Sequence, residues 1–313
     1  ACGTFCMPLH TADTESLVTD ATQDMPVVSR RTVLTLLGGG CAALTLDAAR
    51  ALAAPPAPAF VSRRLEVTVR GVRGKEGRNV LLLPGLASGP AIWSGLAARL
   101  PGHRLHIVHV AGFAGKPAGL NASGPLLAPL VAELARYVRE RRLASPAIIG
   151  HSMGGALAMM LALRADVRAG RIMVVDMLPD GAGMVGGTSS GLGYLATQLN
   201  GYFTGTKAGR QLLAQMVQQT PTARDSDPTV IAQALTELAQ TDLTARVHTI
   251  PCPLTVLYAV PADANAARTQ AQRYRTAYAG ARSLTLEDVG PSGHMVMLDQ
   301  PEQFAQAARA FLK

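Results

Sequence analysis

The stretch from Ala147 to Ala162 reads AIIGHSMGGALAMMLA, and it is the clearest indication of the fold. A short apolar run enters Gly150-His151-Ser152-Met153-Gly154 and continues into a second apolar segment, which indicates a buried strand, a sharp turn and a buried helix. A serine at such a turn has a strained backbone, and side chains two residues away on either side would collide with neighbouring backbone. Because Gly150 and Gly154 remove that collision and the turn lifts the hydroxyl above the sheet, we predict that Ser152 is a nucleophile.

The sequence around this turn alternates β-branched runs with longer helical patterns, which predicts an α/β fold with a mostly parallel central sheet flanked by helices. The predicted strands span 64–69, 79–84, 104–110, 146–151, 171–177, 253–260 and 283–289. The predicted helices span 90–100, 125–143, 153–165, 264–279 and 301–312. The segment 178–250 interrupts the alternation, and we predict that it is a small helical cap inserted after the strand at 171–177.

The GHSMGG turn together with this order of elements resembles the α/β-hydrolase superfamily, over roughly Arg64 to Lys313. The resemblance implies a catalytic serine, an acid after a late strand and a histidine after the last strand, in that chain order. Asp263 and His294 occupy those positions. Asp263 also fits the role of a helix cap. The rival acids are Asp176, which comes directly after the strand that follows the nucleophile helix, and Asp288, which lies on the last strand.

The resemblance also implies an oxyanion hole made by two backbone N–H groups. One belongs to Met153, the residue after the nucleophile, and the other to Leu86, in the loop after an early strand. Many members of the family carry histidine where this chain has Pro84. The substitution leaves the backbone donor in place, but it bears on the hydrogen bonds that support the loop.

The chemistry implied is that of a serine hydrolase, EC class 3.1, which cleaves a carboxylic ester of a small-molecule acyl substrate through an acyl-enzyme and needs no cofactor. Acyl transfer or peracid formation would use the same residues, and a catalytically silent binding protein on the same scaffold is the alternative outside enzymology. The apolar residues of the cap indicate a modest hydrophobic substrate group. They are Met184, Leu192, Tyr194, Leu195, Tyr202 and Phe203.

The formal net charge of +8 favours contact with anionic surfaces such as a membrane or cell envelope. The basic residues are scattered, however, and the one dense group, RYVRERR at 136–142, is explained by a solvated helix face, so we predict no nucleic-acid partner. We also predict no metal. His103, His106 and His109 are spaced by three along a strand, whose period of two puts them on different faces. No feature of the sequence indicates an oligomeric state.

The first part of the chain has the pattern of a targeting signal rather than of a folded element. Residues 1–28 are polar and are predicted to be a disordered leader. Residues 29–53 resemble a twin-arginine export signal, with Arg30-Arg31 before a short apolar run, which predicts a periplasmic or secreted protein. The alternative is an uncleaved signal that anchors the chain to the membrane. Residues 54–63 form a Pro/Ala-rich linker, and Cys252 in the following domain is predicted to be a buried small hydrophobe.

Overall fold

A seven-stranded sheet forms the centre of the part of the chain that the computed structural model describes, which comprises residues 60–185, 206–219 and 223–313. These residues belong to one compact unit, Pro58–Lys313. The leader, the signal segment and most of the linker lie outside the described residues, as do 186–205 and 220–222 of the cap. The predictions made for those segments stay predictions.

The strands begin and end within two residues of the predicted bounds. They are β1 (Leu65–Arg70), β2 (Asn79–Leu83), β3 (Arg104–Val110), β4 (Ala147–His151), β5 (Arg171–Val175), β6 (Leu254–Ala259) and β7 (Leu284–Val289). Their order in the sheet is β1-β3-β2-β4-β5-β6-β7, and only β1 runs antiparallel to its neighbour. β4 is buried along its whole length, and such a continuous apolar run is typical of a parallel strand covered on both faces.

Helices cover the two faces of this sheet. Those described are α1 (Ser94–Ala98, after a 3₁₀ turn at Pro90–Trp93), α2 (Leu127–Glu140), α3 (Met153–Ala162), α4 (Gly181–Val185), α5 (Lys207–Gln218), α6 (Pro228–Gln240), α7 (Ala264–Ala277), α8 (Val296–Asp299) and α9 (Pro301–Leu312). One core cluster joins α2, α3, α6 and α7 to one face of the sheet. A second cluster packs α1 and α9 against the other face, with the rings of Trp93 and Phe304 stacked 6.3 Å apart. Trp93 is fully buried in this packing.

The described parts of the cap, α4 to α6, lie between β5 and β6 as predicted. α6 begins at its N-cap Asp227 and buries Val230 and Ile231 in the first core cluster. Glu237 on the same helix accepts hydrogen bonds from the N–H groups of Leu126 and Leu127, at the start of α2. The cap is therefore tied to the core by both apolar packing and a carboxylate that satisfies free amides at a helix start.

Among the described residues, no helix is both long enough and apolar enough to cross a membrane.

Candidate active site

Ser152 stands at the turn between β4 and α3, in a conformation that few residues other than glycine adopt. Its φ is 52° and its ψ is −120°. Such a backbone is strained for a residue with a Cβ, and it persists only when the surrounding structure holds it. The Ser152 N–H donates to Val175 O at 2.9 Å, and its carbonyl accepts from Gly155 and Ala156 N–H in the first turn of α3. The half-buried side chain is thereby held at the carboxyl edge of the sheet.

The two elbow glycines leave room for this turn in the way the sequence predicts. A Cβ at Gly150 would lie 2.1 Å from Gly154 O, and a Cβ at Gly154 would lie 2.1 Å from Leu83 O. Both contacts are with backbone, which no side-chain rotation relieves. Gly85 is constrained similarly, since a Cβ there would lie 2.7 Å from His151 Nδ1 and 3.3 Å from Ser152 Cβ. The loop after β2 therefore rests directly against the turn at Ser152.

The two N–H groups expected to form an oxyanion hole both lie beside the contact between the loop after β2 and the turn at Ser152. Met153 is the buried first residue of α3, and Leu86 follows Gly85 in the loop after β2. No described group accepts a hydrogen bond from either N–H. Although position 84 is proline rather than histidine, other hydrogen bonds support the loop after β2. Ser88 N–H donates to Gly85 O at 3.2 Å, and Ser226 Oγ, from the cap, donates to Ala87 O at 3.1 Å.

His294 lies in the loop that follows β7, in the predicted position, and the backbone just before it is held by the end of β6 and by α8. Ser292 N–H donates to Val260 O at 2.9 Å, and Gly293 N–H donates to a carboxylate oxygen of Asp299 at 2.9 Å. The imidazole is about one-fifth exposed, and its Nδ1 lies 2.7 Å from Oδ2 of Asp176. Nδ1 must carry the proton in this bond if the carboxylate is ionised, which leaves Nε2 as the basic nitrogen.

The prediction that Asp263 is the acid partner of His294 is wrong, because the structure gives that place to Asp176. Asp263 is exposed and caps α7, with its Oδ1 accepting from Asn265 and Ala266 N–H at 3.1 and 2.8 Å. Asp176 follows β5 directly and is fully buried. The rival Asp288 is exposed on β7.

The register of the sheet explains why Asp176 is the partner. His151 on β4 pairs with Val175 on β5, so the next residues, Ser152 and Asp176, leave adjacent strands side by side. Asp176 has a φ of 46°, which turns it out of the strand, and its N–H donates to Leu257 O on β6 at 2.7 Å. The sequence signal was an unbroken apolar strand ending in a single aspartate, at the same sheet edge as Ser152.

His151, the residue before Ser152, links the turn at Ser152 to the loop that carries His294. Its Nε2 lies 2.9 Å from the carbonyl oxygen of His294, and the two rings are 4.6 Å apart between centroids. Since a carbonyl only accepts, Nε2 is the protonated nitrogen. Burial, together with the neighbouring His294, lowers the pKa of His151 to about 3. His151 is therefore a neutral donor that holds His294 close to Ser152; the structure has no hydrogen bond between Ser152 and His294 themselves.

Comparison with known proteins identifies the family of the chain. The model of the alpha/beta hydrolase family matches residues 80–307, which is most of the chain. The chain belongs to the alpha/beta hydrolase family.

Solved structures show the same fold at low sequence identity. An enol-lactonase from Burkholderia xenovorans aligns at 18% identity and a TM-score of 0.57, covering 79% of this chain and 96% of that one. An esterase from Exiguobacterium antarcticum aligns at 18% identity and a TM-score of 0.61, covering 79% of this chain and 95% of the esterase. A thermophilic esterase from Thermogutta terrifontis aligns at 18% identity and a TM-score of 0.59, covering 79% of this chain and 92% of that esterase. No curated protein matches the sequence of this alpha/beta hydrolase at a significant level.

The other candidate residues of this alpha/beta hydrolase have structural partners. Each of the three spaced histidines bonds a different group: Arg78 N–H for His103, Tyr137 OH and Asn79 for His106, and Phe113 O for His109. No group of side chains among the described residues is arranged to hold a metal ion. Cys252 is buried, as predicted, and burial raises the pKa of its thiol to about 11.

A surface pocket of about 320 Å³ lies away from this site. Arg70 and His103 are among its lining residues, and Arg70 pairs with Leu105 at the amino end of β3. The pocket is therefore at the sheet edge opposite to Ser152, Asp176 and His294.

Proposed function

We propose that this alpha/beta hydrolase is a serine hydrolase that cleaves carboxylic esters through an acyl-enzyme on Ser152. The observation that carries the proposal is the 2.7 Å bond between His294 and a fully buried aspartate, in a loop held next to a strained serine. A buried carboxylate that orients an imidazole beside a serine turn is the arrangement by which enzymes activate a hydroxyl.

In the proposed reaction, His294 Nε2 takes the proton of the Ser152 hydroxyl as its oxygen attacks the ester carbonyl. The Leu86 and Met153 N–H groups donate to the oxyanion that forms, and the start of α3 adds a favourable dipole. The protonated imidazole gives its proton to the leaving alcohol, which departs and leaves the acyl group on Ser152. Water, deprotonated by the same nitrogen, then releases the carboxylic acid, while Asp176 stabilises the charged imidazole in both halves.

The solved structures reported above include two named esterases and one named enol-lactonase, and all three names denote chemistry at an ester carbonyl. They support ester hydrolysis as the reaction class. Acyl transfer to an acceptor other than water would use the same residues and differ only in the second step.

The test is hydrolysis of p-nitrophenyl esters of increasing acyl length by the wild type, Ser152→Ala and Ser283→Ala. Ser283 is exposed before β7 and serves as the matched serine control. We expect Ser152→Ala to lower kcat/KM at least about 1,000-fold and to lose labelling by a fluorophosphonate probe, with the control unchanged. Full activity or labelling of Ser152→Ala would refute the proposal, and a wild type that neither hydrolyses nor labels would favour a silent binding protein.

We also propose that residues 29–53 direct export of the folded domain. The twin arginine supports it, and replacing Arg30 and Arg31 with lysine is expected to retain the protein in the cytoplasm. Undiminished export of that variant would contradict the proposal.

A further inference from the structure

The buried carboxylate of Asp176 has a second partner that the reaction above does not use. Its Oδ2 faces His294, while its Oδ1 accepts the Ala259 N–H at 3.1 Å and the phenolic O–H of Tyr274 at 2.9 Å. Tyr274 lies on α7, 98 residues from Asp176 in the chain, and is fully buried. A charge-assisted hydrogen bond to a carboxylate without access to water is among the stronger ones in proteins.

The phenol of Tyr274 is held in place by two neighbouring rings. Its ring stacks on Tyr258 of β6, 4.5 Å away between centroids and nearly parallel, and on Tyr278, 6.4 Å away. Burial and the adjacent Asp176 raise the pKa of Tyr274 well above its usual range, so the hydroxyl keeps its proton and remains a donor. A rigid, protonated donor fixes the orientation of the carboxylate that it bonds.

We propose that Tyr274 is a positioning residue for the reaction: its hydroxyl orients Asp176 and withdraws charge from the carboxylate that faces His294. The inference rests on the proposed function and deepens it, since it assigns the aspartate a donor from the helix that follows β6. Without the hydroxyl, the same negative charge would concentrate on fewer hydrogen bonds and would stabilise the protonated imidazole more strongly.

Among the described residues, the titratable and charged groups that face this pair can be named. Asp176 faces His294 from β5, and His151 faces it from β4 as a neutral ring. Tyr274 faces Asp176 from α7, and Tyr278 lies near the same carboxylate without bonding it. Arg273 lies near Tyr274 and favours its ionised form, and Asp299 bonds the backbone of the histidine loop. Of these, only Tyr274 donates a side-chain proton to Asp176 besides His294.

The test compares Tyr274→Phe with Tyr278→Phe in the full chain. Both substitutions remove one hydroxyl from the same stack of rings, but Tyr278 donates to the carbonyl of Met177 at 2.7 Å rather than to Asp176. For Tyr274→Phe we expect the acidic limb of the kcat/KM profile to move to higher pH by roughly 0.3 to 1 unit, since the base must be neutral to act. We also expect kcat to fall several-fold with KM unchanged, and Tyr278→Phe to keep the wild-type limb.

A substrate-free readout separates failure of this inference from failure of the proposed function. The protonation midpoint of the His294 imidazole, followed by NMR and identified by its absence in His294→Gln, should shift upward by a similar amount in Tyr274→Phe and not in Tyr278→Phe. The shift requires no ester hydrolysis. An unchanged or lowered midpoint in a folded Tyr274→Phe, or an equal shift in Tyr278→Phe, would overturn the positioning role even if the wild type is a good esterase.

Discussion

The Nδ1 atom of His294 lies 2.7 Å from Oδ2 of Asp176, although 118 positions separate the two residues in the chain. Asp176 leaves the sheet at β5 and His294 follows β7, two strands away. Between them stands β6, whose Ala259 N–H donates to Asp176 and whose neighbour Val260 accepts from the histidine loop. Asp176 and the loop that carries His294 are therefore both hydrogen-bonded to the same intervening strand, which limits how far they move apart.

Asparagine at position 176 is expected to abolish most of the activity, whereas alanine at 263 is not. Asp176→Asn keeps the shape but leaves the imidazole without a carboxylate to hold its tautomer, and kcat should fall about 10³- to 10⁴-fold. Asp263→Ala removes two N-cap hydrogen bonds of α7, which should lower the free energy of unfolding by about 1 kcal/mol with kcat within a few-fold of wild type. Steady-state kinetics and urea denaturation measure both. The reverse ranking of the two kcat values would reinstate Asp263 as the acid.

The wrong prediction that Asp263 pairs with His294 shows where sequence patterns stop being informative. Asp176 and Asp263 each follow an apolar strand at the same edge of the sheet, and local sequence treats them alike. Their roles differ because β4 pairs with β5 and because φ of Asp176 is positive, and both are properties of the assembled sheet. Asp263, by contrast, bonds only its own helix, a local interaction that the residue type predicts.

The central strands and the turn at Ser152 were predictable because their causes are mostly local. Strands β2, β4, β5 and β6 are short, mostly apolar runs, and Gly150 avoids a clash with Gly154 O inside the same turn. Gly154 avoids a clash with Leu83 O at the end of β2, so that contact exists only in the assembled sheet. The short helix α8 was not predicted, since four residues carry no periodicity. Tyr274 was missed for another reason: a tyrosine in a helix with mostly polar neighbours gives no sign that its hydroxyl meets a carboxylate 98 residues away.

Phenylalanine at position 151 is expected to weaken catalysis without removing a reacting group. It keeps a buried ring but loses the 2.9 Å bond to the His294 carbonyl, so the histidine loop loses its direct tie to the nucleophile turn. We expect kcat to fall about 10-fold or more, in line with the sensitivity of catalysis to small misplacements, with little change in KM. His109→Phe is the matched control, because His109 Nε2 bonds a backbone carbonyl in the same manner at Phe113. Equal kcat losses in both variants would argue against the positioning role of His151.

Alanine at position 154 is expected to disrupt the elbow itself. The added Cβ would lie 2.1 Å from Leu83 O and 2.7 Å from Pro84 O, so β2 and the loop carrying Leu86 would have to shift. Overpacking against backbone should lower the free energy of unfolding by about 2 kcal/mol or more, and ester hydrolysis should fall at least about 100-fold. Gly95→Ala in α1, where the nearest atom is the end of the Arg99 side chain at 3.7 Å, should be neutral or slightly stabilising. Thermal unfolding and ester-hydrolysis kinetics of the two variants test this prediction. Near wild-type activity in Gly154→Ala would contradict it, because it would show that the loop carrying Leu86 accommodates the added methyl group.

Acid is expected to destabilise the fold through His106, which is buried on β3 and bonded to Tyr137 OH and Asn79. Burial, with smaller effects of Arg104 and Arg141, lowers the pKa of His106 to about 4, whereas a histidine in the unfolded chain titrates near 6.5. Between these values the unfolded chain binds a proton that the native state does not, so stability is intact above about pH 6.5 and declines as the pH falls, by about 1.4 kcal/mol per pH unit. Urea denaturation at pH 7 and pH 5 should show a loss about 2 kcal/mol larger for the wild type than for His106→Gln. His248→Gln, at an exposed position, is the control and should lose as much free energy of unfolding as the wild type. Equal losses in all three proteins would contradict the prediction, because they would mean that the folded protein protonates His106 as readily as the unfolded chain does.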